Sequence, residues 1–132
     1  MFSTRFIRKD GQPDEIYSYN AVEDAVNHLR LFKDDDSDLY RNISVLDEKN
    51  GIVLSYIHFD RNGKIDAFLN DGDTVKIRPE WSAPGEEKYF YRVLNINENV
   101  DRCDIKCLNS SLSLGSVQTV DTNMISVDYS KG

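Results

Sequence analysis

Residues 58–69, "HFDRNGKIDAFL", place Asp60, Asn62, Gly63, Ile65 and Asp66 at the spacing of a calcium-binding EF-hand loop. Oxygen ligands at alternate positions, with glycine at the sharp bend, are what a calcium ion requires. Such a loop also needs an acidic ligand at its first position and a bidentate Glu at its twelfth. Those positions hold His58 and Leu69. The preceding helix is missing as well, because "IVLSYIHF" is β-branched and aromatic and reads as a strand. The stretch is therefore expected to be a hairpin turn whose Asn62-Gly63 pair tolerates positive φ. "DDDSDLYRNISV" fails the same test, with Leu39 where Gly is needed and Val45 where Glu is needed. The acidic run Asp34–Asp38 reads instead as a solvated helix end.

The two cysteines, Cys103 and Cys107, lie in "RCDIKC". Cys103, Ile105 and Cys107 alternate with Arg102, Asp104 and Lys106, the pattern of a half-buried strand. Four residues of strand span about 13 Å, whereas a disulfide needs Cα atoms within about 7 Å. The expectation is two buried free thiols that pack as small hydrophobes. C-x3-C without a second pair lacks zinc spacing. There are two histidines: His28 falls off the apolar stripe of a helix, and His58 falls on a strand. No G-x-S-x-G elbow, P-loop or G-x-G-x-x-G occurs. No catalytic, cofactor-binding or metal residue is assigned, and the chain is read as not being an enzyme, with an enzyme of unrecognised type as the outlying alternative.

The net charge is −7. Residues 1–70 carry 13 acidic and 9 basic side chains and residues 71–132 carry 10 and 7, so no basic stripe is hidden under the average. Direct binding to a nucleic-acid backbone is thus not expected. No apolar run is long enough for a membrane span. The start, "MFSTRFIRKDG", lacks the apolar region of a signal peptide, which gives cytoplasmic as the expected location.

What remains are the elements that must position any site. "TRFIRKD" and "EIYSY" flank the turn "GQPD" and read as two short strands. "NAVEDAVNHLRLF" predicts a helix over 20–33. Asn20 and Glu23 resemble a capping box there, and Val22, Ala25, Val26, Leu29 and Phe32 form one stripe. Strands follow at 42–47 and 51–59, joined through Asn50-Gly51. The second is apolar on both faces and should be central. "KIDAFL" adds a short strand. After residue 70 come five short strands. A long loop, "PEWSAPGEE", follows the first of them.

The layout of residues 71–129 resembles a small SH3-like barrel, with a long loop after strand one and a tight helical turn before the last strand. That resemblance implies a groove where Arg78, Trp81, Tyr89 and Tyr91 would meet an extended peptide. The competing reading has Trp81 closing the barrel end or packing against the N-terminal half. "AVEDAVNHLRLF…LYRNISVLDEKNG" with "KIRPEWSAPGEEKYFYRVLNINENVDRC" resembles short uncharacterised proteins carried by conjugative mobile elements of Gram-positive gut bacteria. That second resemblance spans most of the chain and gives no residue a role.

The expected fold is α+β. An N-terminal ββαββ unit (1–70), its helix on one sheet face, packs against a C-terminal SH3-like five-stranded barrel (71–132). The expected function is that of a small non-catalytic binding or adaptor protein that recognises a protein or peptide. The alternative is an acidic nucleic-acid mimic or inhibitor of the antirestriction type, motivated by the net charge and the run "DDDSD".

Overall fold

The computed structural model describes residues 1–32, 38–109 and 116–127. Strands β1 (Phe2–Arg8) and β2 (Glu15–Tyr19) pair antiparallel. Helix α1 (Val22–Arg30) follows, then β3 (Tyr40–Asp47), β4 (Ile52–Phe59) and β5 (Ile65–Asn70). Together the strands form one five-stranded antiparallel sheet in the order β2-β1-β3-β4-β5. Ala25 and Leu29 of the helix stripe are fully buried against Phe6, Ile43, Val45, Ile57 and Phe59 of this sheet. The helix is shorter than expected at both ends. Ala21, in extended backbone, is its first flanking residue and no side chain caps it, so the capping box on Asn20 does not form. The acidic run falls mostly on residues 33–37, outside those described.

Both Asn-Gly pairs are turns. Gly51 and Gly63 take φ of 68° and 81°, where an L side chain would be strained. The Asp60 carboxylate accepts the backbone N–H groups of Asn62 and Lys64, so it shapes the turn.

Strands β6 (Thr74–Ile77), β7 (Tyr91–Asn97), β8 (Arg102–Cys107), β9 (Val117–Asp121) and β10 (Ile125–Val127) form a second five-stranded sheet in the order β10-β6-β7-β8-β9. The long loop lies between β6 and β7, and a 3-10 turn (Thr122–Met124) precedes β10. The closed barrel does not form, because β9 and β10 are opposite edges and do not pair. Closure is unnecessary for burial, since the first sheet supplies the cover. Val53, Tyr56, Ala67 and Leu69 of β4 and β5 share one core with Val75, Val93, Ile105 and Ile125 of the second sheet. The first sheet is thus the middle of three layers, which explains why β4 is apolar on both faces. A bulge assists. Ser55 pairs with Val45 and Val53 with Leu46, leaving Leu54 as an extra residue. The extra residue flips the side-chain alternation, so Val53 and Tyr56 face the second sheet while Leu54 and Ile57 face the helix.

Cys103 and Cys107 are buried free thiols in β8. Burial pushes the Cys103 thiol up to about 12. A thiol reagent at pH 8 should therefore label neither cysteine quickly until the chain unfolds. The same shift has a pH consequence. Above about pH 9 the unfolded chain releases the Cys103 proton and the folded chain retains it. The contribution of this thiol to stability is thus complete below that pH and falls as pH rises towards about 12. Rapid labelling of both thiols in the folded protein would contradict the burial of this strand.

Candidate functional site

Two places gather chemistry-bearing side chains: the β6–β7 loop and the seam between the sheets. In the loop, Pro79 opens a 3-10 turn, Pro79–Trp81, as its fixed φ favours. The Ser82 hydroxyl bonds back to the carbonyls of Ile77 and Arg78. Gly85 takes φ of 92° to enter a second turn, Glu86–Lys88. The loop is therefore held by its own hydrogen bonds, and Trp81 stands 54% exposed upon it. The reading of Trp81 as a core plug does not hold.

The other three residues expected in the groove lie elsewhere. Arg78 points back into the fold, where its Nε donates to the Ile125 carbonyl at 3.1 Å and its terminal nitrogen donates to the Asp66 carbonyl. It ties β10 to β5, two edges that do not pair. Tyr89 precedes β7 and is half-buried against the shared core. Tyr91 begins β7, is 3% exposed, and has its hydroxyl pushed above the ordinary range by burial. Both tyrosines pack against the shared core, whereas Trp81 stands exposed.

The seam was not foreseen. The β7–β8 turn (97–102) docks on the first sheet. Asp101 sits there at a φ of 55°, a left-handed conformation that Asp tolerates better than most residues. Its carboxylate accepts from Asn42 Nδ2 at 2.6 Å and from the Tyr56 hydroxyl at 2.7 Å. Arg41 Nε lies 3.0 Å from it. Asn42 Nδ2 also donates to the Glu98 carbonyl at 2.7 Å. His58 stands between two carboxylates, with Nδ1 3.2 Å from Asp66 and Nε2 3.8 Å from Asp101. Burial and the Asp101 charge hold the Tyr56 phenol protonated far above its ordinary range.

Two bulges aim the ionic members of this seam. Arg41 is an extra residue in β3 opposite Ile7 and Arg8, and Asp66 is an extra residue in β5 opposite His58 and Phe59. Bulges re-aim side chains in this way. Sequence reasoning missed Arg41, Asn42, Tyr56, Glu98 and Asp101. The available signal was Asn42, a polar residue inside an apolar strand. Chemically the seam joins two layers. Its phenol is locked in the protonated form, and its histidine stands between two carboxylates. Among the described residues no cluster of three or more His, Cys, Asp or Glu side chains could hold a metal. No described helix is long and apolar enough to cross a membrane.

No protein-family model matches this chain, and neither a curated protein nor a solved structure matches it.

Proposed function

We propose that the chain is a small non-catalytic module that binds another protein, with Trp81 at the contact. The observation that carries this reading is the exposure of the sole tryptophan, at 54%, on a loop braced by its own turns. Leaving so much apolar surface in water forgoes burial energy, and exposed indoles on ordered loops are the anchors that interfaces favour. The strand order of the second sheet resembles that of an SH3-like barrel, whose first long loop presents aromatic side chains to extended peptides. This support is an analogy of layout. It extends to Trp81 and not to Tyr91, which lies in the core.

Among the described residues no geometric observation favours the acidic-mimic alternative. Asp10, Asp14, Glu15, Glu98, Asp101 and Asp121 each pair with an arginine of the chain itself, so these carboxylates are not a free phosphate-like array.

Trp81→Ala tests the reading. It should cost under about 1 kcal/mol of stability in a thermal melt. It should also weaken partner binding by about 2 kcal/mol, roughly 30-fold. The partner is captured by a photo-crosslinking residue at position 81, in an extract at near-physiological salt, with the same residue at exposed Val117 as the control. Equal yields from the two positions would remove Trp81 from the interface.

A further inference from the structure

The second sheet buries one face against the first sheet, and register fixes what the other face carries. Thr74, Arg92, Lys106 and Val117 lie directly opposite one another across β6, β7, β8 and β9. In the next row Lys76 of β6 lies beside Phe90, its ammonium 5.1 Å from the ring centroid. On the other side Leu94, Asp104 and Thr119 are opposed. Arg92 and Lys106 are exposed and Lys76 is half-buried. These three cations come from well-separated positions, so no basic run in the sequence announces them.

Among the described residues none forms an ion pair with Lys76, Arg92 or Lys106, whereas Arg5, Arg8, Arg41, Arg78 and Arg102 each have a carboxylate. Asp104, the one carboxylate in these rows, already accepts from Asn95 Nδ2 at 3.0 Å and from the Thr119 hydroxyl at 2.6 Å. Arg92 therefore stands directly opposite Lys106 as a like-charge cross-strand pair, which costs stability. It does so in a chain with 23 acidic side chains to 16 basic. Protection of a sheet edge does not explain the pair, because β7 and β8 are interior strands. An anionic partner removes the repulsion and adds charge-assisted hydrogen bonds. Phe90, and Val117 at 54% exposure, border the cations with apolar surface.

We propose that this outer face of the second sheet binds an acidic segment of a partner protein, with carboxylates on Lys76, Arg92 and Lys106 and apolar side chains over Phe90 and Val117. A short acidic segment suits the patch better than a nucleic acid. A run of phosphates would extend past three cations onto a chain of net charge −7. The acidic surface elsewhere does not cancel the local attraction, since at about 0.1 M salt charges beyond about 10 Å are screened. This face is independent of Trp81 and of the protein partner proposed above.

The test is a titration of the full chain at about 0.1 M salt, followed by amide NMR shifts. The probes are a glutamate-rich peptide with one central phenylalanine, the same peptide with glutamine for every glutamate, and single-stranded oligothymidylate. The acidic peptide should give saturable shifts confined to 74–76, 90–94 and 104–108, and should bind about tenfold or more tightly than the glutamine peptide. Lys106→Glu should weaken the acidic peptide by about tenfold or more. That variant should also melt no lower than the parent chain, because it turns the like-charge pair with Arg92 into an opposite-charge one. If Lys106→Glu does not fold, Arg92→Glu and the comparison of the two peptides still decide. Equal affinity for the two peptides, shifts elsewhere on the surface or shifts that never saturate would overturn the proposal. So would an unchanged affinity in the folded variants, or tighter binding of the oligothymidylate than of the acidic peptide.

Discussion

Asp101→Ala should destabilise the protein by about 3 kcal/mol, a drop of roughly 10 °C in the thermal midpoint for a chain of this size. The substitution removes the acceptor shared by Asn42 and the Tyr56 hydroxyl, and it takes away the carboxylate that lies 3.0 Å from Arg41 Nε. Asn42 and Tyr56 are both 0% exposed, so water cannot replace the lost bonds without the layers parting. Each donor keeps one other partner, Asn42 on the Glu98 carbonyl and Tyr56 on Thr122, which holds the loss below that of a fully orphaned buried charge. Alanine is also less tolerant than aspartate of the left-handed φ of 55° at this position. Asp101→Asn keeps an oxygen and that tolerance, and should cost less, about 1–2 kcal/mol. Asp121→Ala breaks only the exposed pair with Arg102, whose side chains are 55% and 60% exposed, and should cost under about 0.5 kcal/mol. Denaturant melts of the three variants rank them. If Asp101→Ala melts with Asp121→Ala, the seam does not join the layers.

The second large effect is expected from dividing the chain. Residues 1–70 and 71–132, prepared as separate fragments, should each fail to show a cooperative melt. The first fragment would expose Val53, Tyr56, Ala67 and Leu69, which are at most 5% exposed in the whole protein. At about 1.5–3 kcal/mol for each large apolar side chain, the loss approaches the entire stability of an ordinary domain, about 5–15 kcal/mol. The second fragment would lose the cover over Val75, Val93 and Ile105, all 0% exposed in the intact chain. The intact protein should unfold in one transition, with far-UV and near-UV circular dichroism coincident. A sharp melt of either fragment at the temperature of the whole would show that the shared core contributes little.

Local order was legible in the residues because its causes are local. Ala25 and Leu29 repeat at helical spacing, Asn-Gly pairs adopt positive φ on their own preference, and Cys103, Ile105 and Cys107 alternate as one buried strand face requires. The five strands after residue 70, with a long loop after the first and a 3-10 turn before the last, were also legible, since hairpins and one 3-10 turn are short-range events.

Other features depended on what lies across a layer. The strand β4 announced by its composition that both faces are covered, but not by what. Only the packed structure puts the helix on one side and the second sheet on the other. Barrel closure was expected from the layout of strands, long loop and tight turn and does not occur, because the first sheet already buries the inner face. Arg78 and Tyr91 had the residue types of a binding groove, yet one ties β10 to β5 and the other fills the core. Arg41, Asp66 and Leu54 are bulge residues, and a bulge depends on register against a neighbouring strand. The sequence by itself determined the helix stripe, the hairpin turns, the strand faces and the surplus of negative charge. The tertiary structure alone decided which carboxylates are neutralised, which aromatic side chain stays in solvent, and where two sheets meet over Asp101. Those outcomes depend on contacts between residues tens of positions apart, and such contacts leave no periodic trace in the chain.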